Sequence, residues 1–205
     1  MGRGTAVVTT PAAGAQERFA TLSPDQMTPE QKRVADAILN GPRKKLSGPF
    51  NVWLRSPVLA DRLQAVGEYL RFSTSIDHRL NEFAILIAAR FWTAQYEWYA
   101  HYPLAMKAGL RPEIAAELAQ GQRPSGMRAD EALVYDICTQ LHDAGNLTDT
   151  TYAAAVAAFG ENGVVDLIAV SGYYDIVSMT LNVAKVGVPE GQPPLPELPR
   201  PARGL

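Results

Sequence analysis

The sequence predicts an all-α protein with a single helical domain, and three observations support this prediction. Apolar residues recur at spacings of three and four along nearly every segment between the two ends of the chain, which is the period of an amphipathic helix. Capping residues and prolines stand at the starts of these segments, and glycines at their ends. No run of strict apolar–polar alternation bounded by turns indicates a strand.

A chain of 205 residues is long enough for one domain with terminal extensions. Residues 1–25 are rich in Gly, Ala, Thr and Pro without periodicity, so we expect a flexible arm there. The helical domain is predicted over residues 26–188. The prolines of residues 189–205 exclude helix and favour a loose, extended tail, although Leu195 and Leu198 leave open that this tail docks on a neighbouring subunit.

The first three helices are predicted from their starting residues. Thr28 can cap a helix that begins at Pro29 and ends before Gly41. Ser56 and Pro57 open the second, and Asp77 can cap the third. The expected core face of the third helix holds Leu80, Phe83, Ala84, Ile87 and Ala88.

The later helices are predicted from apolar periodicity and from the glycines that follow most of them. The last is the most apolar, and its candidate break is Ser171–Gly172. The predicted ranges are residues 93–108, 112–119, 129–144, 149–159 and 163 to about 186.

Composition excludes several classes of function. Nineteen basic against twenty-one acidic residues give a net charge of −2, so no dense basic face for nucleic acid is expected. The single cysteine, Cys138, cannot form an internal disulfide, and His78, His101 and His142 show no metal-ligand spacing. The longest apolar runs fall short of the ~20 residues that cross a bilayer, and the start of the chain does not resemble a signal peptide, so we expect a cytoplasmic protein.

The strongest candidates for catalytic residues are Glu97 and His101. They are one helical turn apart, so their side chains can lie on the same face of a helix. A carboxylate beside an imidazole favours the charged form of each. Five large aromatics fall within eleven positions here, too many for one buried stripe, so some should face a cavity or a subunit contact. They are Trp92, Tyr96, Trp98, Tyr99 and Tyr102. The alternative is an ordinary ion pair on a helix surface.

The stretch from Glu82 to His101 resembles the carboxymuconolactone decarboxylase and alkylhydroperoxidase-D-like superfamily. Its peroxidase members carry the pattern E-x11-C-x2-C-x3-H, of which Glu82 and His101 match the two ends. The cysteine positions fall on Ala94 and Glu97, which looks like the decarboxylase branch. The segments Arg79–Leu86, Gly48–Val52 and Ala105–Leu110 also look like this family, so the resemblance covers roughly residues 45–187.

The resemblance implies an all-helical fold whose subunits form homotrimers or homohexamers, with a pocket near a subunit interface. It also implies cofactor-free, metal-free decarboxylation of a small carboxylated lactone or ring acid. In that chemistry His101 is the expected acid or proton shuttle, because a proton must reach the product carbon. Glu97 is expected to orient His101 and keep it protonated, and Glu82 either to assist this orientation or to be structural.

The rest of the expected site binds substrate. Trp92, Tyr96 and Trp98 would supply a dry wall that favours loss of the carboxylate. Either Arg90 or Arg71 would bind the substrate carboxylate, and Asn182, polar within an apolar helix, would face either the pocket or a subunit contact.

Two other functions stay open at this stage. One is a peroxidase-like antioxidant protein, which the missing CxxC pair disfavours because Cys138 lies in an apolar run and is expected to be a buried filler. The other is an oligomeric binding protein without catalysis, which predicts that Glu97 and His101 can be replaced without consequence.

Overall fold

The computed structural model describes residues 18–198, and within that range the chain forms eight helices and no strand, which confirms the all-α prediction. Residues 1–17 of the arm predicted over residues 1–25, and residues 199–205 of the predicted tail, lie outside the described residues. The helices are α1 (Pro29–Asn40), α2 (Phe50–Trp53), α3 (Pro57–Phe72), α4 (His78–Trp92), α5 (Gln95–Lys107), α6 (Pro112–Ala119), α7 (Ala129–Ala144) and α8 (Asp149–Ala184).

Several helix boundaries follow from the residues that predicted them. The Thr28 hydroxyl accepts the N–H of Gln31, whose side chain accepts the N–H of Thr28, so α1 begins with a capping box. Asp77 caps α4 by accepting the N–H of Arg79. The helix predicted from residue 93 begins at Gln95 instead, because Thr93 adopts the left-handed conformation that ends α4.

The last two predicted helices are one element with a kink. Gly160 has φ 68° and ψ 170°, which is not helical, and it separates residues 149–159 from the longer second part of α8. The break expected at Ser171–Gly172 is wrong, since the helix continues through both residues. Ser171 is buried there against α7, with its hydroxyl 3.5 Å from the sulfur of Cys138, and this packing stabilises the helix across the glycine.

Helix α4 lies at the centre of the fold. It packs against α5, α7 and α8, and most of its residues are buried, including the polar Asn81 and Glu82. Its first turn is joined to α7 by Arg79, whose guanidinium lies 2.6 Å from both Asp130 and Glu131. This central position brings Glu82 into the interior, facing α5.

Both described ends of the chain lie against the helical domain. The side chain of Asn51 bonds to the backbone of Phe19, Ala20 and Leu22, which holds the N-terminal segment on α2. At the other end, residues 189–198 contain no helix, as predicted, but Leu195 is buried against this same chain rather than left loose.

The second part of α8 also bears on localisation. By length and composition α8 is apolar enough to cross a membrane, and a third of its most apolar stretch is buried inside the protein. Asp166 interrupts that apolar character and accepts hydrogen bonds from Tyr69, Thr74 and Ser75. A cytoplasmic location therefore stays a prediction.

Candidate functional site

The candidate site is built around His101, which lies between two buried carboxylates. Its Nδ1 is 2.6 Å from Oε2 of Glu82 on α4, an aligned hydrogen bond. Its Nε2 is 3.1 Å from Oε1 of Glu97, one turn earlier on α5, but that contact is an ion pair without hydrogen-bond alignment. The aligned hydrogen bond to the ring comes from Glu82, and Glu97 contacts the other ring nitrogen. Since Nδ1 is bonded to Glu82, Nε2 is the ring nitrogen that a ligand could share with Glu97.

The two glutamates decide the protonation state of His101. Burial by itself would lower the pKa of the imidazole, but the negative charges of Glu97 and Glu82 outweigh burial and raise the pKa to about 9. At neutral pH the side chain is therefore an imidazolium. A buried cation that can release one proton is the property required of a general acid.

His101 and Glu97 line a cavity of about 390 Å³, which is a usual size for a small-molecule site. The cavity lies between α5, the second part of α8, and the loop that precedes α2. It is lined by Arg43, Lys45, Ser47, Gly48, Pro49, Phe50, Arg71, Tyr96, Glu97, Tyr99, Ala100, His101, Pro103, Leu104, Tyr173, Tyr174 and Val177.

Two adjacent tyrosines of α8 form one wall of this cavity. The ring of Tyr174 meets the imidazole of His101 edge-on at 5.3 Å, and the ring of Tyr173 meets that of Tyr174 at the same distance. Burial raises the pKa of Tyr173 to about 12 and that of Tyr174 well above its usual value, and the charge of Glu97 adds to both effects. Both hydroxyls therefore keep their protons and can donate hydrogen bonds.

Of the residues expected to bind substrate, Tyr96 and Arg71 line the cavity, whereas both tryptophans lie elsewhere. The indole N–H of Trp92 donates to Asp175 at 2.6 Å, next to the buried His142. Trp98 follows Glu97 by one position and so turns about 100° away around α5, where it stacks on Tyr102.

Arg90 and Asn182 also lie outside the cavity lining, and both bind backbone carbonyls. The guanidinium of Arg90 donates to the carbonyls of Ala119 and Pro196, because the end of α4 points toward the C-terminal segment. Asn182 is exposed and donates to the carbonyl of Trp92 at 2.8 Å.

Cys138 is fully buried, as predicted, and burial raises the pKa of its thiol to about 12. A thiol with such a pKa is not a nucleophile at neutral pH. Within residues 18–198 no group of three His, Cys, Asp or Glu side chains is arranged to hold a metal ion.

Sequence reasoning missed Arg43 as a site residue and gave Tyr173 and Tyr174 no role in the chemistry. Arg43 belongs to a loop without periodicity, so nothing in the pattern indicates that it folds back over Phe50. The Tyr173–Tyr174 pair does carry a signal, since two phenols in an otherwise apolar helix need an environment that accepts their hydroxyls. The chain matches no protein-family model, no curated protein and no solved structure.

Proposed function

We propose that this chain is an enzyme that decarboxylates a small carboxylated lactone or related ring acid without a cofactor. The observation that carries the proposal is a buried imidazolium, held between two carboxylates, in the wall of a cavity large enough for a ring-sized acid. The resemblance of Glu82, Glu97 and His101 to the decarboxylase branch of the carboxymuconolactone decarboxylase superfamily supports the same reading, including its fold.

The reaction needs an electron sink and a proton. Loss of carbon dioxide breaks the bond to the carboxyl carbon, and the electron pair passes into the ring or lactone carbonyl as an enolate. His101 Nε2 then delivers its proton to the carbon that lost the carboxyl group, and solvent returns a proton to the imidazole. A pKa of about 9 keeps the donor charged at neutral pH.

The neighbours of His101 have separate roles in this scheme. Glu82 orients the ring through Nδ1, so that Nε2 faces the cavity. Tyr174, whose ring meets the imidazole edge-on in the cavity wall, keeps its hydroxyl proton and is a neutral donor suited to the enolate oxygen. Tyr96, Pro103 and Val177 supply apolar surface to the cavity wall, which disfavours water beside the reacting carboxylate.

The experiment is a screen of purified protein against lactone acids and ring carboxylic acids, with release of carbon dioxide as the readout. His101→Ala should lower turnover about a hundredfold or more. His101→Gln, which can still donate toward both glutamates, should do the same while remaining folded. His78→Ala is the matched control, because His78 is exposed on α4.

Equal turnover by the wild-type protein and both His101 variants would remove His101 from the mechanism. Consumption of a hydroperoxide with a dithiol donor, measured on the same preparations, would favour the peroxidase alternative. Against that alternative stands the buried, protonated thiol of Cys138.

We also propose that the enzyme is a homotrimer or homohexamer. Helix α8 exposes an apolar stripe at spacings of three, four and eight, formed by Val165, Ile168, Ile176, Met179 and Val183. Light scattering should give a mass three or six times 22.2 kDa. A measured mass of 22.2 kDa, that of a single chain, would contradict this part of the proposal.

A further inference from the structure

Two arginines line the cavity, and among the described residues their side chains contact aromatic rings but form no salt bridge. Arg43 lies with its guanidinium 5.0 Å from the ring centre of Phe50, and its Nε and Nη2 are buried without a hydrogen bond. Arg71, on α3, lies 5.2 Å from the ring centre of Phe72, and its Nε is likewise buried without a bond. Within residues 18–198 neither side chain forms a salt bridge.

Both arginines are partly buried, and a guanidinium N–H group that is buried without a hydrogen-bond acceptor is costly. Burial lowers the pKa of Arg43 and the charge of Arg71 acts in the same direction, while Tyr173, Tyr174 and the charge of Glu68 act against them without reversing the shift. The positive charges of the two guanidinium groups therefore disfavour each other. An anion between them would satisfy their free N–H groups and reduce this repulsion.

The chain also leaves space for this arrangement. A Cβ atom at Gly67 would lie 2.0 Å from the hydroxyl oxygen of Tyr173 and 2.6 Å from Nη2 of Arg43. The hydroxyl and the guanidinium are therefore neighbours, in a place that only glycine leaves open. Arg71 follows Gly67 by four residues, on the same face of α3.

We propose that Arg43, Arg71 and Tyr173 form a subsite for a carboxylate group in this cavity. The inference deepens the proposed function and rests on it for the identity of the acid. Guanidinium groups bind a planar carboxylate through paired N–H donors, and the hydroxyl of Tyr173 supplies a further donor. Since ion pairing stabilises a carboxylate against loss of carbon dioxide, the group held here is an anchor, and the carboxyl group that leaves is a second one on the same substrate.

Binding is tested by calorimetric titration with benzoate, alongside methyl benzoate as the uncharged analogue and inorganic phosphate at the same ionic strength. The wild-type protein should bind benzoate at least tenfold more tightly than methyl benzoate or phosphate. Arg43→Met and Arg71→Met should each weaken benzoate binding by about tenfold or more. Arg62→Met removes an exposed arginine from α3 and should leave the affinity unchanged.

Gly67→Ala tests the same subsite without removing a charge. Its methyl group must displace Tyr173 or Arg43, so benzoate affinity should fall while the circular dichroism spectrum stays that of the wild type. Arg43→Lys keeps the charge but loses the paired donors, and it should bind benzoate more weakly than the wild type.

Unchanged benzoate affinity in both Met variants would overturn the subsite, as would a wild-type protein that binds no benzoate. Tighter binding of phosphate than of benzoate, with the same dependence on Arg43, would overturn the choice of a carboxylate. The two proposals fail separately. If benzoate binding depends on the two arginines but no acid is turned over, only the proposed function is contradicted. If an acid is turned over but benzoate binding does not depend on the arginines, only the subsite is contradicted.

Discussion

Nδ1 of His101 on α5 lies 2.6 Å from Oε2 of Glu82 on α4, and the Glu82 side chain has no exposed surface. The two helices are adjacent in sequence and are joined through Thr93 in its left-handed conformation. This short connection sets the distance between the Glu82 carboxylate and the imidazole of His101. Because the hydrogen bond occupies Nδ1, any proton given to a ligand must come from Nε2. The Glu82–His101 hydrogen bond therefore determines that Nε2 is the nitrogen that can donate a proton to a ligand.

Glu82→Gln removes one of the two negative charges that raise the pKa of His101, so that pKa should fall from about 9 toward its usual value. Because the proposed turnover needs the imidazolium, kcat/KM falls off above the pKa of His101. In Glu82→Gln this alkaline fall in the pH profile should begin about one pH unit or more lower. A titration of the imidazole by NMR reads the same shift without substrate. Glu113→Gln, at an exposed position of α6, is the matched control, and a limb unmoved in Glu82→Gln would contradict the assigned role.

The pKa of His101 also predicts how stability depends on pH. The folded value of about 9 exceeds the ordinary 6.5, so the stabilising contribution is complete below pH 6.5 and is lost as the pH rises through 9. Urea unfolding of the wild-type protein should therefore show falling stability between these limits, by an amount on the order of a few kcal/mol.

His101→Gln should abolish most of this dependence, because its amide does not titrate. The His78→Gln protein should follow the wild-type curve, since His78 is exposed and joins no ion pair among the described residues. Parallel curves for the wild type and His101→Gln from pH 6 to 10 would mean that the buried cluster is not charged as described.

The helices were largely predictable from sequence because their ends are determined locally. Thr28 and Asp77 cap with their own side chains, and Gly145 ends α7 in the left-handed conformation that glycine adopts without strain. The failure at Ser171–Gly172 has a tertiary cause, since packing of α8 against Cys138 on α7 overrides the weak helix propensity of glycine.

The residues of the candidate site could be predicted from their spacing in the sequence only where they lie on the same helix. Glu97 and His101 share a helical face by their spacing, and Glu82 came from the resemblance. Arg90 and Trp98 were misplaced because a single sequence does not state which face of a helix meets the cavity. Arg43 could not be found, because its place depends on a loop folding over Phe50.

Asp166 should be a large contributor to stability. Its carboxylate accepts hydrogen bonds from the hydroxyls of Tyr69, Thr74 and Ser75 and from the Ser75 N–H, at 2.7–3.0 Å, which fixes the loop between α3 and α4 on α8. Asp166→Asn should lower the free energy of unfolding by about 2 kcal/mol at pH 7. Asp136→Asn, which breaks an exposed ion pair with Arg123, should cost under about 1 kcal/mol.

The cost of Asp166→Asn should also depend on pH. Burial would raise the pKa of Asp166, but its hydrogen bonds to Ser75, Thr74 and Tyr69 outweigh burial and lower it. The stabilisation is thus present above about pH 4 and is lost as the pH falls through the folded value. Unfolding curves of the two proteins should converge below pH 4, and a constant difference would show that the charge of Asp166 is not what stabilises the loop.

The C-terminal segment should stabilise the start of α5. The backbone of Leu195 pairs twice with the side chain of Gln95, at 2.8 Å in each direction, and the Leu195 side chain is buried. Gln95 is the first residue of α5 and precedes Tyr96 in the cavity wall. Leu195→Ala should therefore lower the free energy of unfolding by about 2 kcal/mol.

The same variant should speed hydrogen exchange at the first turn of α5, because loss of the buried leucine frees the segment that holds Gln95 in place. Glu190→Ala, in the exposed part of the same segment, should leave both stability and exchange as in the wild type. If Leu195→Ala destabilised the protein without faster exchange at residues 95–98, the segment would be acting only as a cover for the core. Faster exchange there with slower turnover would mean that the C-terminal segment holds the cavity wall in the shape that catalysis needs.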